Sequence, residues 1–388
     1  MNGNGLPQNI DLNYACALFD TAWYLDQNPD IAQAGCDPLQ HYLEYGAWEM
    51  RNPNPLFDSD WYLAVNPDVA QTSVNPLVHY LTIGAAENRD PHPLFDTRTY
   101  REVCGPLPAQ MTPLEAFLAG SQQSCAGAYL SIDALSKVQQ HFLDQVTVQT
   151  ILDQHGAALP WAVFLQCGQS SLHPQWLTTN PKPWHLILNC YDETYCQAIN
   201  ADIVLLQNQG TKFSAVYRIL ENNPRFFEAY EYVLFLDDDV LVTEEAITQL
   251  FVIAQSKNLK LAQPSVAPES AHTWNVLLTQ PDSFIRTLNT VEIMMPLLSR
   301  EALQLGSHLF SRSISGWGLD FALGDLVSRE FGSGKIAVID AVSFLHARTI
   351  DVVQGAYYRM LRENRISPLV EERVMGLLYG AAGPIREV

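Results

Sequence analysis

Positive charge is scarce in this sequence. Its 22 Lys and Arg face 42 Asp and Glu, a formal balance of −20 over 388 residues. A surface this acidic repels phosphate backbones, which argues against nucleic-acid binding, and any anionic ligand needs a local remedy such as a bound divalent cation. Long apolar runs are missing too. Nowhere do ~18 consecutive apolar residues stand together, so no transmembrane segment is expected. The opening residues MNGNGLPQNIDLNYACALFD lack the positive stretch and apolar run of a secretory leader. The expectation is a soluble cytoplasmic chain, with peripheral contact to a membrane left open. The seven Cys form no CxxC pairs and no dense framework, so free thiols in a reducing compartment are expected. Apolar residues, in contrast, are plentiful. A composition of 47% hydrophobic and 16% charged residues excludes disorder throughout, and the length suits roughly two to three domains.

The sequence repeats itself near its start. FDTAWYLDQNPDIA from Phe19 returns as FDSDWYLAVNPDVA from Phe57, and PLQHYLEYG from Pro38 returns as PLVHYLTIG from Pro76, both 38 residues on. A third copy, from FDTRTYR at Phe95 to PLEAFLAG at Pro113, has lost the Trp and the Asn-Pro-Asp element. Asp37 before Pro38 reads as a helix N-cap with Pro at the first helical position, and Gly46 as its stop; Asn75, Pro76 and Gly84 repeat the pattern. A preceding helix over Thr21 to Gln27 ends at Asn28-Pro29. Each unit is thus expected to be a pair of short helices with Phe19, Trp23, Tyr24, His41 and Tyr42 on an inner face that neighbouring units cover. His41 and His79 read as packed, hydrogen-bonded residues, and Asp30 and Asp68 as helix caps. The array is a scaffold or a docking surface for a protein partner. From Ala128 to about Leu159, Ile132, Leu135, Val138, Phe142, Val146 and Ile151 keep helical spacing and predict a connecting helix or two.

After Pro160 the pattern changes to short apolar runs: Ala162 to Cys167, His185 to Tyr191, Ala201 to Gln207 and Tyr232 to Leu236. Such runs are strands buried on both faces, and with helices from Ser214 to Asn222 and from Thr243 to near Asn258 they predict an α/β fold with a mostly parallel sheet. The expected organisation is a helical repeat domain over 1–127, a helical linker over 128–159, an α/β domain over 160–350 and a helical tail over 351–388.

Ligands in such sheets bind beyond the carboxyl ends of the strands. There stand Asp237, Asp238 and Asp239. Three adjacent carboxylates repel one another, a cost tolerated where a hard cation or a network of donors neutralises them. On an extended backbone Asp237 and Asp239 share a side and can address one ion, Mg²⁺ or Mn²⁺, completed by substrate phosphate oxygens. A solvated turn capping the next helix is the alternative. Gly316 to Asp320, GWGLD, suits a mobile loop that lays Trp317 against a ligand and supplies Asp320. His346 closes the apolar run that begins at Ile336 and can complete a metal's coordination, or be structural.

These residues resemble the GT-A glycosyltransferases, in which an Asp-X-Asp ends a central strand, a Trp-Gly loop bears an acid and a late His or Asp binds the metal. LFLDDDV, LKLAQPS from Leu259, VEIMMPLLSR from Val291, GWGLDF and IAVIDAVSFLH, in that order, resemble more closely a family of plants and bacteria catalogued as domain of unknown function seven hundred and seven, over about Trp161 to Arg348. The resemblance implies a GT-A-like, Rossmann-like sheet. It implies Asp239 as direct metal ligand, Asp237 reaching the metal through water or holding the donor ribose, and His346 as a further ligand. Asp238 belongs with the donor site. Lys212 would neutralise the diphosphate and Asp192 accept from nucleobase or ribose, although both also suit a plain surface. Asp320 is the expected base of an inverting transfer, with Glu292 as rival; Glu292 is otherwise a buried acid paired with Arg286 or Arg300. Trp317 would stack on a sugar.

The reading is a Mn²⁺- or Mg²⁺-dependent transferase moving a sugar from a nucleotide-sugar donor to a glycan or other hydroxyl acceptor, as in surface polysaccharide synthesis. The rivals are a non-catalytic glycan- or partner-binding protein with the same shell, and a phosphoryl-transfer enzyme. The latter normally wants ligands for a second metal, and no further acid and His cluster is present.

Overall fold

The computed structural model describes residues 15, 17–92, 94–104, 106–108, 111–119, 132–178, 180–192, 201–349, 355–364, 366–379 and 384–388. The expected boundaries at 127 and 351 lie outside them. The chain divides into two compact units, Met1–Leu135 and Ser136–Val388.

The first unit is helical. Asp20 and Asp58 cap the helices Thr21–Gln27 and Ser59–Val65, and Asp37 and Asn75 cap Pro38–His41 and Pro76–His79, each through a side-chain oxygen that accepts backbone N–H groups. The Asn-Pro-Asp element is a correction to the expected pair of helices. Pro29 and Pro67 stop one helix but take the first position of another, Pro29–Ala34 and Pro67–Ala70, because proline lacks only an N–H that has no helical partner there. Asn28 Nδ2 donates to the Tyr24 carbonyl across the junction (2.7 Å), as Asn66 does to Tyr62 (2.8 Å). Asp30 and Asp68 are not the caps expected. Each sits in the first turn and is forked by a guanidinium, Arg51 at 2.8 and 2.9 Å and Arg89 at 2.8 Å.

Gly46 and Gly84 do more than stop a helix. A Cβ there would stand 2.3 and 2.2 Å from the hydroxyls of Tyr24 and Tyr62. Those hydroxyls bond Nδ1 of His41 and His79, at 3.0 and 2.9 Å. Tyr24, Tyr42, Phe57, Tyr62, Tyr80, Phe95 and Tyr100 are buried completely and form the core. Cys36, Cys167 and Cys190 carry thiols, but Cys104 is disulfide-bonded, which corrects the expectation of thiols throughout. Which cysteines meet is a tertiary matter that spacing alone does not carry.

In the second unit the helix Ile132–Gln145 is followed by a strand, β1 (Val148–Asp153), where a helical linker was expected. Its β-branched residues pair antiparallel with an otherwise open sheet edge, and Ile151, expected on an inner face, is exposed. The remaining strands are β2 (Trp161–Cys167), β3 (Trp184–Cys190), β4 (Ile203–Gln207), β5 (Tyr232–Leu236), β6 (Val240–Leu241), β7 (Leu261–Val266), β8 (Arg286–Thr287), β9 (Leu297–Ser299) and β10 (Ile336–His346). Their order is β1-β4-β3-β2-β5-β9-β7-β10-β6, with β8 also on β10. Strands β4, β3, β2, β5, β7 and β10 run one way; β1, β9, β6 and β8 run against them. The result is the mixed, mostly parallel sheet with flanking helices that the apolar runs predict. Strands β2, β3 and β5 are almost wholly buried, and the helices Lys212–Asn222, Glu244–Ser256 and Leu319–Phe331 cover the sheet. All four apolar runs are strands, displaced by at most two residues.

Candidate active site

The three acids leave β5 exactly where its parallel partner β2 still has two residues to run. The chain continues into β6, whose pairing with β10 sets Val240 opposite His346, and the amide of Ala347 donates to the Asp239 carbonyl (2.9 Å). That register brings together residues more than a hundred positions apart: His346 Nε2 lies 3.2 Å from Asp239 Oδ2. Nδ1 of His346 faces the Ala271 carbonyl at 2.8 Å. Donation from Nδ1 to that carbonyl leaves Nε2 turned toward Asp239, the ring orientation in which metal-binding histidines are usually held. Burial lowers the imidazole's pKa, but Asp239 and the Ala271 carbonyl together raise it above the ordinary value.

Asp237 and Asp238 turn to different partners, as alternation along an extended chain requires. Asp237 meets Lys212 Nζ at 2.7 Å, and Asp238 accepts from the Tyr191 hydroxyl. Both carboxyls titrate above the usual range, because loss of water outweighs the Lys212 ammonium at Asp237 and the Tyr191 hydroxyl at Asp238. Asp237 still keeps 38% of its side chain exposed, so it is open to solvent. Among the described residues no group of three or more His, Cys, Asp or Glu converges to hold a metal. Asp239 and His346 are brought together; Asp237 is held by Lys212.

Asp320 and Glu292 complete the acid set. Asp320 lies in the first turn of the helix Leu319–Phe331, with its side chain accepting from the next amide, Phe321, at 2.9 Å. Burial, with a contribution from Glu292, pushes its carboxyl up to about 7. Glu292 is also raised, by burial, with His346 opposing. The pairing of Glu292 with Arg286 or Arg300 does not occur. Arg286 is taken by the buried Asp340 (2.8 Å), and Arg300 Nε donates to the Tyr230 carbonyl. Oε2 of Glu292 is buried with no hydrogen-bond partner among the described residues.

The GWGLD segment is strapped down, which corrects the mobile loop expected. Gly316 and Gly318 take left-handed backbone angles (φ 76° and 75°), and a Cβ on Gly318 would meet the Glu372 backbone at 2.9 Å. Glu371, fully buried in the helix Pro368–Tyr379, accepts from the amides of Ile314 (2.9 Å) and Ser315 (2.8 Å) and from Gln139 (2.7 Å). Nothing in the sequence marks that residue: a lone Glu in a helical tail looks like solvent-facing charge. Trp317 is half-buried and meets Tyr358 edge-on at 6.3 Å. Asp192 stands in the turn after β3, one residue beyond Tyr191. Tyr191 and Arg348 also escaped the sequence reading, although both close apolar runs at the carboxyl end of the sheet. A cavity of about 220 Å³, lined by Lys182, Trp184, His185 and Asp202, lies at the opposite end of the strands, away from this chemistry.

The comparisons follow this geometry. The family model described as "Protein of unknown function (DUF707)" matches residues 196–367, under half of the chain. No curated protein matches. Solved structures similar to the chain include TarS of S. aureus, at 12% identity and TM-score 0.33, covering 50% of this chain and 37% of that one. Glucosyl-3-phosphoglycerate synthase of Mycobacterium tuberculosis, in complex with phosphoglyceric acid, is similar at 13% identity and TM-score 0.34 over 66% of this chain and 86% of that one. The same synthase with Mn²⁺, uridine-diphosphate-glucose and phosphoglyceric acid is similar at 14% identity and TM-score 0.32, over 61% and 85%. This chain therefore spans well under half the length of TarS.

Proposed function

We propose that the Ser136–Val388 unit is a metal-dependent glycosyltransferase of inverting type, moving a sugar from a nucleotide-diphosphate sugar to a hydroxyl acceptor such as a glycan. The observation that carries this reading is the Asp239–His346 pair at the end of β5, joined through the charge of Glu292 to an acid raised to about 7. The donor set fits Mn²⁺ or Mg²⁺: a carboxylate oxygen and an imidazole nitrogen face each other, and the imidazole's other nitrogen is committed to a carbonyl. Asp239 and His346 would hold the ion, with water and phosphate oxygens supplying the remaining positions. When bound, it would stabilise negative charge on the departing nucleoside diphosphate.

This chain's own groups do the rest. Asp320 takes the proton from the acceptor hydroxyl as its oxygen bonds to the anomeric carbon; the bond from that carbon to the donor phosphate breaks, and its electrons leave with the nucleoside diphosphate. A carboxyl near 7 suits this task, since it ionises at working pH yet binds a proton appreciably. Asp192 and Asp237 would hold the nucleoside, with Asp238 beside them, and Trp317 a sugar face. Glu292, with one oxygen lacking a partner, is the second acid beside the reacting centre. A shell without catalysis would have no use for that unbonded oxygen, whose burial costs stability. The helical unit would dock a protein partner.

The test is a thermal-shift screen of nucleotide sugars and nucleoside diphosphates, with and without Mn²⁺. At about 100 times Kd a ligand should raise Tm by about 5 °C or more, and Asp239→Asn should abolish the Mn²⁺-dependent part. Identical shifts in that variant would remove the metal assignment.

A further inference from the structure

Five carboxyl groups gather at this site, Asp237, Asp238, Asp239, Glu292 and Asp320, so an anionic ligand needs a cation able to reach it. Lys212, expected in that role, has no donor to spare. An ammonium carries three N–H groups, and Lys212 has three acceptors: Asp237 Oδ1 at 2.7 Å, the Met294 carbonyl at 2.7 Å and the Ile293 carbonyl at 3.0 Å. Its side chain is only 8% exposed. It neutralises Asp237 and pins the loop that carries Glu292.

Arg348 is differently placed. It follows His346 by two residues, just past the Ala347 amide that bonds the Asp239 carbonyl, so β10 delivers it beside the acids. Its side chain is 39% exposed. The guanidinium donates to the Ser170 carbonyl; its other contacts are long, 3.5 Å to Ser170 Oγ and 3.6 Å to Asp238 Oδ1. Five N–H donors in a planar fork match phosphate oxygens two at a time, and this fork has capacity left. Asp238 does not depend on Arg348, since it also accepts from Tyr191.

We propose that Arg348, and not Lys212, binds the phosphoryl groups of an anionic ligand at this site, exchanging its long contact with Asp238 for phosphate oxygens. The ligand class is a diphosphate, and the inference rests on the donor reading above. No bond is made or broken. Ser170 then acts as a rest for the guanidinium beside the acids.

Isothermal titration of the full chain with inorganic pyrophosphate, uridine diphosphate and guanosine diphosphate, each with Mn²⁺, tests this. Arg348→Gln should weaken whichever probes bind by about tenfold or more, the loss expected for a charged hydrogen-bonding partner. Arg348→Met, which keeps the apolar stem, should do the same and carries the test if the Gln variant loses its fold. Wild-type affinity in a folded neutral variant would overturn the assignment while leaving the donor reading intact. Failure of the wild-type chain to bind any of the probes would overturn both.

Discussion

The two units treat their titratable side chains in opposite ways. In the helical unit the recurring imidazoles and first-turn acids find the same kind of protein partner in both copies, at distances within about 0.1 Å: His41 and His79 with tyrosine hydroxyls (3.0 and 2.9 Å), Asp30 and Asp68 with forked guanidinium groups (2.8 Å each). In the α/β unit Asp237, Asp238, Asp239, Glu292 and Asp320 stand within reach of one another's charge, and one Glu292 oxygen has no hydrogen-bond partner among the described residues. Partnered polar groups that repeat are architecture. Acids held close together, against their own repulsion and desolvation, need a ligand to explain them.

The sharpest way to break this contrast is Asp320→Asn. Transfer should fall by about 10²- to 10⁴-fold, the range for loss of a general base, with donor binding kept. In the wild type, rate should rise with pH through about 7 as the carboxyl ionises. Full turnover by the variant would move the base to Glu292. Stability should move the other way. A carboxyl whose folded pKa lies above its unfolded one binds its proton more tightly when folded, so stability falls as pH rises from the ordinary carboxylate range to about 7. Asp320→Asn should therefore raise Tm more at pH 8 than at pH 4, measured by calorimetry.

A smaller effect is expected in the helical unit. Gly46→Ala places a Cβ 2.3 Å from the Tyr24 hydroxyl, an overpacking that should cost about 1–3 kcal/mol. Tyr24→Phe in the same chain should recover part of it, although it leaves His41 without that hydroxyl. Hydrogen exchange would show the loss locally, and unchanged protection in Gly46→Ala would mean that the glycine is only a stop signal. Smallest of all is Asp30→Asn, whose carboxylate is held below the ordinary range by the Arg51 hydrogen bonds, against slight desolvation. A lowered pKa contributes stability above the ordinary carboxylate range and loses it as pH falls through the folded value. The variant should accordingly exchange slightly faster over residues 29–34 at pH 7 and match the wild type in acid. A larger effect than that of Gly46→Ala would reverse the ranking.

Much of this was legible in one dimension. The strand runs read correctly because burial on both faces leaves an unbroken apolar string, and the caps read correctly because Asp or Asn before Pro acts within one turn. Residues 148–153 misled because a helix-spaced apolar pattern also fits an edge strand, here one that is largely exposed. Asp30 misled because its guanidinium partner lies 21 residues away. Glu371 was invisible, since its acceptors and donors are joined only when the terminal helix packs against the Gly-Trp-Gly turn.

Local chemistry in the chain determined which segments become strands and helices, where they begin, and that acids gather at one strand's carboxyl end. Those properties depend on neighbours a few residues apart. Only the tertiary structure decided which acid meets the imidazole, that Lys212 is consumed by Asp237 and two carbonyls, and that Arg348 keeps donors to offer. Such assignments depend on the register between β6 and β10 and on packing between elements a hundred residues apart, and a hydrogen bond changes within a fraction of an ångström.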